Sequence, residues 1–256
     1  MTKPATRLLT LTCAAAVAAL VAGCNVNEGM LNAGGSALKA VTLSKEDVVQ
    51  MSSQSCQALD TDNQIAKSNS KYATRLAAIV KPLPKEIEGQ TINYKVYMTK
   101  DINAWAMDNG CVRVYSGLMD LMNDDEVRGV IGHELGHVAL GHSTASMRTA
   151  YATSAARQAA AASGNATAAV LSSSAAGALG EAFINAQFSQ SQETAADNYS
   201  FDLLTQLKLE RKGLVTGFQK LAKLSGKSSA ASSLLSSHPS SEKRVENLQG
   251  RLDKAK

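Results

Sequence analysis

The chain has 256 residues, of which 45% are hydrophobic and 19% are charged, and its formal net charge is +4. This length suits one domain with a sizeable core, or at most two small ones. The modest charge, without a dense cluster of Lys and Arg, excludes the basic footprint of a nucleic-acid-binding protein.

The N-terminus has the features of an export signal. Lys3 and Arg7 precede an apolar stretch at 8–22, which is too short to be a membrane-spanning helix with its own flanks. The small residues that end this stretch, followed by Cys24, resemble the lipobox of bacterial lipoproteins. The resemblance implies that residues 1–23 are a signal peptide and that Cys24 is lipidated. The alternative is an ordinary secretory signal with an incidental cysteine.

The residues after the cleavage site predict where the protein is anchored. Asn25 stands where an Asp would retain a lipoprotein in the inner membrane, so the sorting pattern favours the outer membrane, with the protein facing the periplasm. Several acyl chains on one residue give stable anchoring. Residues 24–42 have little periodic pattern and are interpreted as a lipidated tether.

Two cysteines remain once the export segment is set aside. Cys13 leaves with the signal and Cys24 carries lipid, so Cys56 and Cys111 meet an oxidising compartment. We expect them to form a disulfide, which would contribute about 4 kcal/mol through loop entropy. The alternative is two buried free thiols.

Hydrophobic periodicity and helix-capping signals predict an α+β fold that is mostly helical, with a small β-sheet beside the helix at 124–142. The predicted strands are 92–98, 103–107 and 111–115. The predicted helices are 44–59, 63–80, 118–122, 124–142, 145–180, 181–207, 212–224 and a last one with Pro239 at its first position. A Ser-rich loop is expected at 226–237.

The segment His-Glu-Leu-Gly-His at 133–137 carries the chemistry. On a helix, His133 and His137 are about 400° apart, so both imidazoles share one face and can bind one Zn²⁺. Glu134 lies about 100° round the helix, where it can take a proton from an attacking water and return it to a leaving amine. The alternative is a surface helix with two histidines one turn apart.

Three glycines share another face of this predicted helix. Gly129, Gly132 and Gly136 each cost about 1 kcal/mol relative to Ala in a helix. We therefore expect this face to pack tightly against another backbone, most simply a helix in the core. The alternative is that the glycines are tolerated weak spots.

A third metal ligand is needed, because two histidines make only half of a catalytic zinc site. His142 is five residues after His137 and, in a continuous helix, would point about 140° away from it. We therefore exclude His142 as a ligand and interpret it as a residue at the helix C-terminus, where a His interacts favourably with the helix dipole.

Glu193 is the better candidate for the third ligand. Glu193 and Asp197 are one turn apart on a second predicted helix, so Asp197 can accept the free ring N–H of a zinc histidine and fix its orientation. Taken alone, two acids at this spacing are usually a solvated face.

His-Glu-x-x-His followed by Glu-x-x-x-Asp is the gluzincin arrangement. The chain further resembles the CAAX-prenyl-endopeptidase-like metallopeptidases, the group that includes HtpX. The segments that carry this resemblance are Asn-Ala-Trp-Ala at 103–106, Ser-Gly-Leu-Met at 116–119, Asp-Asp-Glu at 124–126 and His-Glu-Leu-Gly-His-Val-Ala-Leu-Gly-His at 133–142. The resemblance implies a zincin-type peptidase domain at 43–256 with one Zn²⁺ per chain.

The resemblance also implies a place for the substrate. Four residues correspond to the edge strand along which such enzymes bind an extended peptide: Asn103, Ala104, Trp105 and Ala106. Main-chain pairing there would give affinity that tolerates many sequences. Because Cys111 follows closely, the disulfide would brace this strand against the N-terminal helix. The alternative is a plain sheet edge.

Two further residues receive roles from the resemblance. His238 can fill the open position of the zinc and keep the enzyme inactive, or it can simply cap a helix in a surface loop. Arg244 can contact a substrate carbonyl or the transition-state oxyanion, or it can form a surface salt bridge.

The sequence therefore predicts a zinc-dependent endopeptidase of the bacterial envelope that degrades unfolded or damaged envelope proteins. Its expected partners are unfolded polypeptides, the outer membrane and other envelope quality-control proteins. A lipoprotein holdase with a latent or structural zinc site is the second hypothesis, although a structural site does not need the base Glu134. An anchor protein without a metal fits the ligand set poorly.

Overall fold

The computed structural model describes residues 43–162, 173–224, 232–239 and 242–254. The expected signal peptide, the lipidated Cys24 and the tether lie outside these ranges. The described part is mostly helical with two small sheets, which confirms the predicted α+β class. The helices are α1 Lys45–Asp62, α2 Lys71–Val80, α3 Ser116–Leu121, α4 Asp124–Ala139, α5 His142–Ala162, α6 Ser173–Ile184, α7 Gln190–Gln206, α8 Lys212–Leu224, α9 Ser232–Ser237 and α10 Glu242–Lys254.

The larger sheet has three strands, at 93–97, 104–106 and 111–115, and the last of these lies in the middle. Strand β3 (Asn93–Tyr97) pairs in parallel with β5 (Cys111–Tyr115), and β4 (Ala104–Ala106) pairs antiparallel with the other side of β5. The short strands β1 (Glu86–Ile87) and β2 (Gln90–Thr91) form a separate hairpin. Strand β4 therefore lies at one edge of the larger sheet, beside α4.

Helix α4 is the central element of the fold. Asn123 caps it and forms a capping box with Glu126, so the helix begins where the sequence predicts. Its strongest packing partners are α7 and α8. Because it is buried nearly all round, side chains on several of its faces can serve the core and the site at once.

The glycine face of α4 confirms the predicted close packing, against two helices rather than one. A Cβ at Gly129 would lie 2.7 Å from the Leu214 Cα in α8, and one at Gly136 would lie 3.0 Å from the Ala196 carbonyl oxygen in α7. These approaches bring α7 near enough to α4 for their functional side chains to meet.

Helix α1 is fastened to the sheet by a disulfide and by ion pairs. Cys56 and Cys111 are bonded, with Cα atoms 6.5 Å apart, which confirms the predicted pair. The bond braces β5 directly, rather than β4 as we expected. One turn further along α1, Asp60 accepts hydrogen bonds from the buried Arg113 on β5 at 2.7 and 2.8 Å.

Two predicted helix starts are wrong. Helix α2 begins at Lys71 rather than at residue 63, because the intervening chain forms a bridge from Ile65 to Tyr97, and Ser70 caps the helix. The last helix begins at Glu242, so Pro239 precedes it instead of opening it.

Two other predictions also fail in part. The helix expected at 181–207 is interrupted at 185–189, because Ser189 forms a capping box with Gln192 and starts α7 there. The helix expected at 145–180 is helical in its described residues, which belong to α5 and α6. Part of the expected loop at 226–237 is helix α9.

Candidate metal centre and active site

Four buried side chains from three parts of the chain converge beside α4. His133 and His137 come from α4, Glu193 comes from α7, and His238 follows α9. Each offers one ligand atom, and the four atoms lie within 4.8 Å of one another. The structure thus brings together the three sequence-predicted ligands and His238.

The spacing of these atoms fits a zinc ion. Four atoms bonded tetrahedrally at about 2.0–2.1 Å from an ion are separated from one another by about 3.3 Å. Here His137 Nε2 lies 3.1 Å from His133 Nε2 and 3.3 Å from Glu193 Oε1. His238 Nδ1 lies 3.3 Å from His133 Nε2 and 3.0 Å from Glu193 Oε1. Nitrogen and carboxylate oxygen at these separations are suited to hold a zinc ion.

The protonation states of His137 and Glu193 also suit a metal, which requires neutral imidazole and ionised carboxylate. Burial lowers the pKa of His137 well below its usual value. Burial alone would raise the pKa of Glu193, but the neighbouring histidines hold it below its usual range. Both groups are therefore in their ligating forms at neutral pH.

Asp197 and Arg244 support this cluster from behind. Asp197 Oδ1 lies 2.9 Å from His133 Nδ1, close enough to accept its N–H. Arg244 donates two hydrogen bonds of 2.7 Å to the Asp197 carboxylate and also contacts Glu193 Oε2. Arg244 is 4% exposed, so it is a buried ion-pair residue and not the surface salt bridge considered from the sequence. It leaves Glu193 Oε1 facing the cluster.

Glu134 points to the same centre without being part of the four-atom cluster. It is 3% exposed, and burial raises its pKa. Within the described part of the chain, its Oε1 atom has no hydrogen-bond partner. The nearest ring nitrogen of His238, Nε2, lies 3.6 Å from that atom. A buried carboxylate held in this way is suited to accept a proton.

His142 is not at the end of the zinc helix, as the sequence indicated. Helix α4 ends at Ala139, and Gly141 takes a φ of +71°, so His142 becomes the first residue of α5. Its ring turns back toward the site, and Nδ1 lies 3.1 Å from His137 Nδ1. Gly141 follows the last residue of the apolar helical pattern, and a glycine at such a position indicates that the helix ends there.

The expected substrate strand is at a sheet edge but is not open. Asn103, Ala104, Trp105 and Ala106 are each 3% exposed or less. Phe183, Ile184 and Phe188 line a small void together with β4, Glu134 and His238. The end of α6, together with Phe188 after it, thus covers the strand in this conformation. Phe188 also stacks on His137, with ring centroids 3.9 Å apart, a contact that no sequence motif indicates.

Comparisons with known proteins agree with this geometry. The model of peptidase family M48 matches residues 70–252. The chain is 48% identical to the metalloprotease LoiP of Escherichia coli over 248 residues, which cover 96% of this chain and 97% of LoiP. It is 47% identical to the metalloprotease YcaL of the same organism over 93% of this chain and 95% of YcaL.

A more distant relative matches part of its length. The mitochondrial metalloendopeptidase OMA1 of Arabidopsis thaliana is 30% identical over 195 residues, which are 75% of this chain and 37% of OMA1. The chain therefore belongs to peptidase family M48, whose metalloproteases are zinc-dependent, and it is a metalloendopeptidase.

Proposed function

We propose that this metalloendopeptidase holds one zinc ion per chain and hydrolyses internal peptide bonds of unfolded or damaged proteins in the bacterial envelope. The close approach of ligand atoms from His133, His137, Glu193 and His238, with four of their separations between 3.0 and 3.3 Å, carries the metal assignment. When bound there, zinc supplies a Lewis acid that polarises the scissile carbonyl and favours ionisation of water.

Glu134 is the proposed catalytic base and acid. Its buried Oε1 atom is positioned to accept a proton from the attacking water and then to give it to the leaving amine. Burial raises its pKa above that of an ordinary carboxyl, which makes it a better proton acceptor. The carboxylate pair of Glu193 and Asp197, held by Arg244, keeps the ligands in place while Glu134 moves the proton.

His238 is the proposed regulatory ligand. It completes the four-atom cluster from the segment between α9 and α10 and is 7% exposed. A catalytic zinc site keeps one position open for water, so a protein ligand in the fourth position makes the site closed. We infer that His238 must leave before substrate binds.

The proposed substrate pairs, as an added strand, with the edge of β4 that faces away from β5. Such pairing uses main-chain groups, which only an unfolded or locally extended polypeptide offers. Because Phe183, Ile184 and Phe188 lie against β4, binding also requires that this covering segment move. A folded protein would therefore be a poor substrate.

The envelope location is supported by the sequence before the described domain. The lipobox-like residues that end at Cys24 favour a lipid anchor in the outer membrane with the domain in the periplasm. The Cys56–Cys111 disulfide fits an oxidising compartment. None of the described helices combines the length and the apolar character needed to cross a bilayer. Other envelope quality-control proteins are the proposed partners.

The activity is tested by giving the zinc-loaded protein one substrate in two states. We expect reduced and alkylated lactalbumin to be cleaved and native lactalbumin to be spared. Equal cleavage of both forms would contradict selection of unfolded chains. Suppressed aggregation without cleavage would favour a holdase, which the closed fourth position also allows.

The location is tested by labelling cells with radioactive palmitate and fractionating their membranes. The native chain should carry label and sediment with the outer membrane. Cys24→Ser should lose the label and become extractable with salt. An unlabelled native chain would overturn the anchor while leaving the peptidase assignment in place.

A further inference from the structure

His142 lies beside the metal centre although the four-atom cluster excludes it. Leu140 caps the C-terminus of α4, and the positive φ of Gly141 turns the chain, so that α5 starts with His142 close to His137. The two rings have centroids 5.1 Å apart, and their Nδ1 atoms are 3.1 Å apart. This contact depends on the helix break, because a continuous helix would turn His142 about 140° away.

A zinc-binding histidine needs a partner for its second ring nitrogen. The nitrogen that does not bind the metal carries a proton, and an acceptor for that N–H fixes the tautomer and the ring orientation. For His133, the polar atom nearest this place is the carboxylate oxygen Oδ1 of Asp197, which lies 2.9 Å from Nδ1 as an ion-pair contact. For His137, the polar atom that meets Nδ1 within the described chain is Nδ1 of His142.

The faces of the two ligand rings are restrained by different neighbours. Phe188 stacks on His137 at 3.9 Å, while the Phe218 ring lies 5.2 Å from the ring of His133. Stacking limits the tilt of His137 but does not select which nitrogen carries the proton. A hydrogen-bond acceptor at Nδ1 is required for that selection.

We propose that His142 is a positioning residue for the metal ligand His137. Nδ1 of His142 accepts the Nδ1–H of His137, so that the unprotonated Nε2 of His137 faces the metal. The proton of His142 is then on its own Nε2. The two zinc histidines thus have different partners, a carboxylate for His133 and an imidazole for His137. This inference rests on the proposed zinc site.

Three substitutions of His142 separate an acceptor from mere bulk. In His142→Asn, the amide oxygen can take the place of Nδ1 and accept the hydrogen bond. His142→Leu has nearly the same size as Asn but no acceptor, and His142→Ala removes both bulk and acceptor. Thr149→Ala, an exposed-hydroxyl change two turns along α5, is the control.

The measurement is the dissociation constant for zinc of the full chain, obtained by competition with a chromophoric chelator, with melting temperatures of the zinc-free proteins alongside. We expect His142→Leu and His142→Ala to bind zinc roughly tenfold more weakly than the native protein. His142→Asn and Thr149→Ala should bind like the native protein. The zinc-free Asn and Leu variants should melt at the same temperature.

Several results would overturn the inference. Equal zinc affinity of the Asn and Leu variants, whether both native-like or both weakened, would show that no acceptor is needed. A zinc-free melting temperature that falls in the Leu variant, with unchanged zinc affinity, would show a purely structural role. If the native protein binds no zinc, the proposed metal centre fails and this inference fails with it.

Discussion

His238 Nδ1 lies 3.0 Å from Glu193 Oε1, although the two residues are 45 positions apart and belong to different elements. Glu193 is held from its other side by Arg244, so its Oε1 atom is fixed while His238 comes from the segment between two helices. Ranges on both sides of that segment, 225–231 and 240–241, are outside the described chain. The contact therefore joins a carboxylate that Arg244 holds on α7 to a ring from the short described range 232–239.

Removal of His238 should activate the enzyme while weakening its metal binding. His238→Ala opens the fourth position to water and substrate, so casein cleavage per zinc-loaded molecule should rise several-fold. The affinity for zinc should fall, because one of four donors is lost. Lys243→Ala, an exposed change nearby, should alter neither quantity. Unchanged or reduced cleavage by His238→Ala would contradict a closed resting site.

Arg244 is expected to support the site rather than act on the substrate. Its guanidinium bridges two buried carboxylates and lies over the Phe218 ring at 4.8 Å. Arg244→Ala would leave those charges unpaired and should lower the free energy of unfolding by about 3–5 kcal/mol. Arg244→Lys keeps the positive charge but loses the forked guanidinium that bridges the two carboxylates. Its free energy of unfolding should lie between those of the native protein and Arg244→Ala. Chemical denaturation of the zinc-free proteins measures this. If Arg244→Ala is as stable as the native protein but has a lower kcat, contact of Arg244 with the transition-state oxyanion would be favoured instead.

Two glycine substitutions should change stability in opposite directions. A Cβ at Gly129 would meet the Leu214 backbone at 2.7 Å, so Gly129→Ala should destabilise the protein by about 1–3 kcal/mol, despite the better helix propensity of Ala. Gly250 lies in α10 with open space around it, so Gly250→Ala should stabilise by about 0.5–1 kcal/mol. Urea unfolding decides both. A Gly129→Ala protein as stable as the native one would contradict the close helix packing.

Asp60 should make the stability of the domain depend on pH. Burial alone would raise its pKa, but hydrogen bonds from Arg113, Lys95 and Tyr97 hold the pKa below its usual value of 3.8. The ionised form is thus favoured in the folded state, and its stabilisation is present above about pH 4 and is lost as the pH falls through the folded pKa. At pH 7, Asp60→Asn should cost about 3 kcal/mol, because Arg113 is left buried and unpaired. The difference from the native protein should shrink below pH 4. A cost that is independent of pH would contradict this account.

The sequence predicts which side chains the structure brings together at the candidate metal centre, because the spacings that indicate them are local. His133, Glu134 and His137 share one helix, and Glu193 with Asp197 share another, so helical geometry alone places each group. The capping box at Asn123 and the disulfide pair are also readable from residue type and position. Close packing at Gly129 and Gly136 then brings the two helices together.

Other parts of the site depend on tertiary contacts and leave little trace in the sequence. Phe188 lies between α6 and α7, where the sequence predicts one continuous helix, so its stacking on His137 could not be predicted. His142 was misplaced because one residue in the left-handed region, Gly141, changes the direction of everything after it. Asp60 and Arg113 meet only because β5 packs against α1.

The most direct test of the central claim is casein cleavage by the native protein and by Glu134→Gln, each loaded with zinc and with its zinc content measured. The account predicts that both proteins hold one zinc ion and that the variant is slower by about 10²–10⁴-fold, because only the proton acceptor is lost. Equal cleavage by the two proteins would contradict the role of Glu134. Absence of cleavage by the native protein, and by His238→Ala tested beside it, would contradict the peptidase account itself.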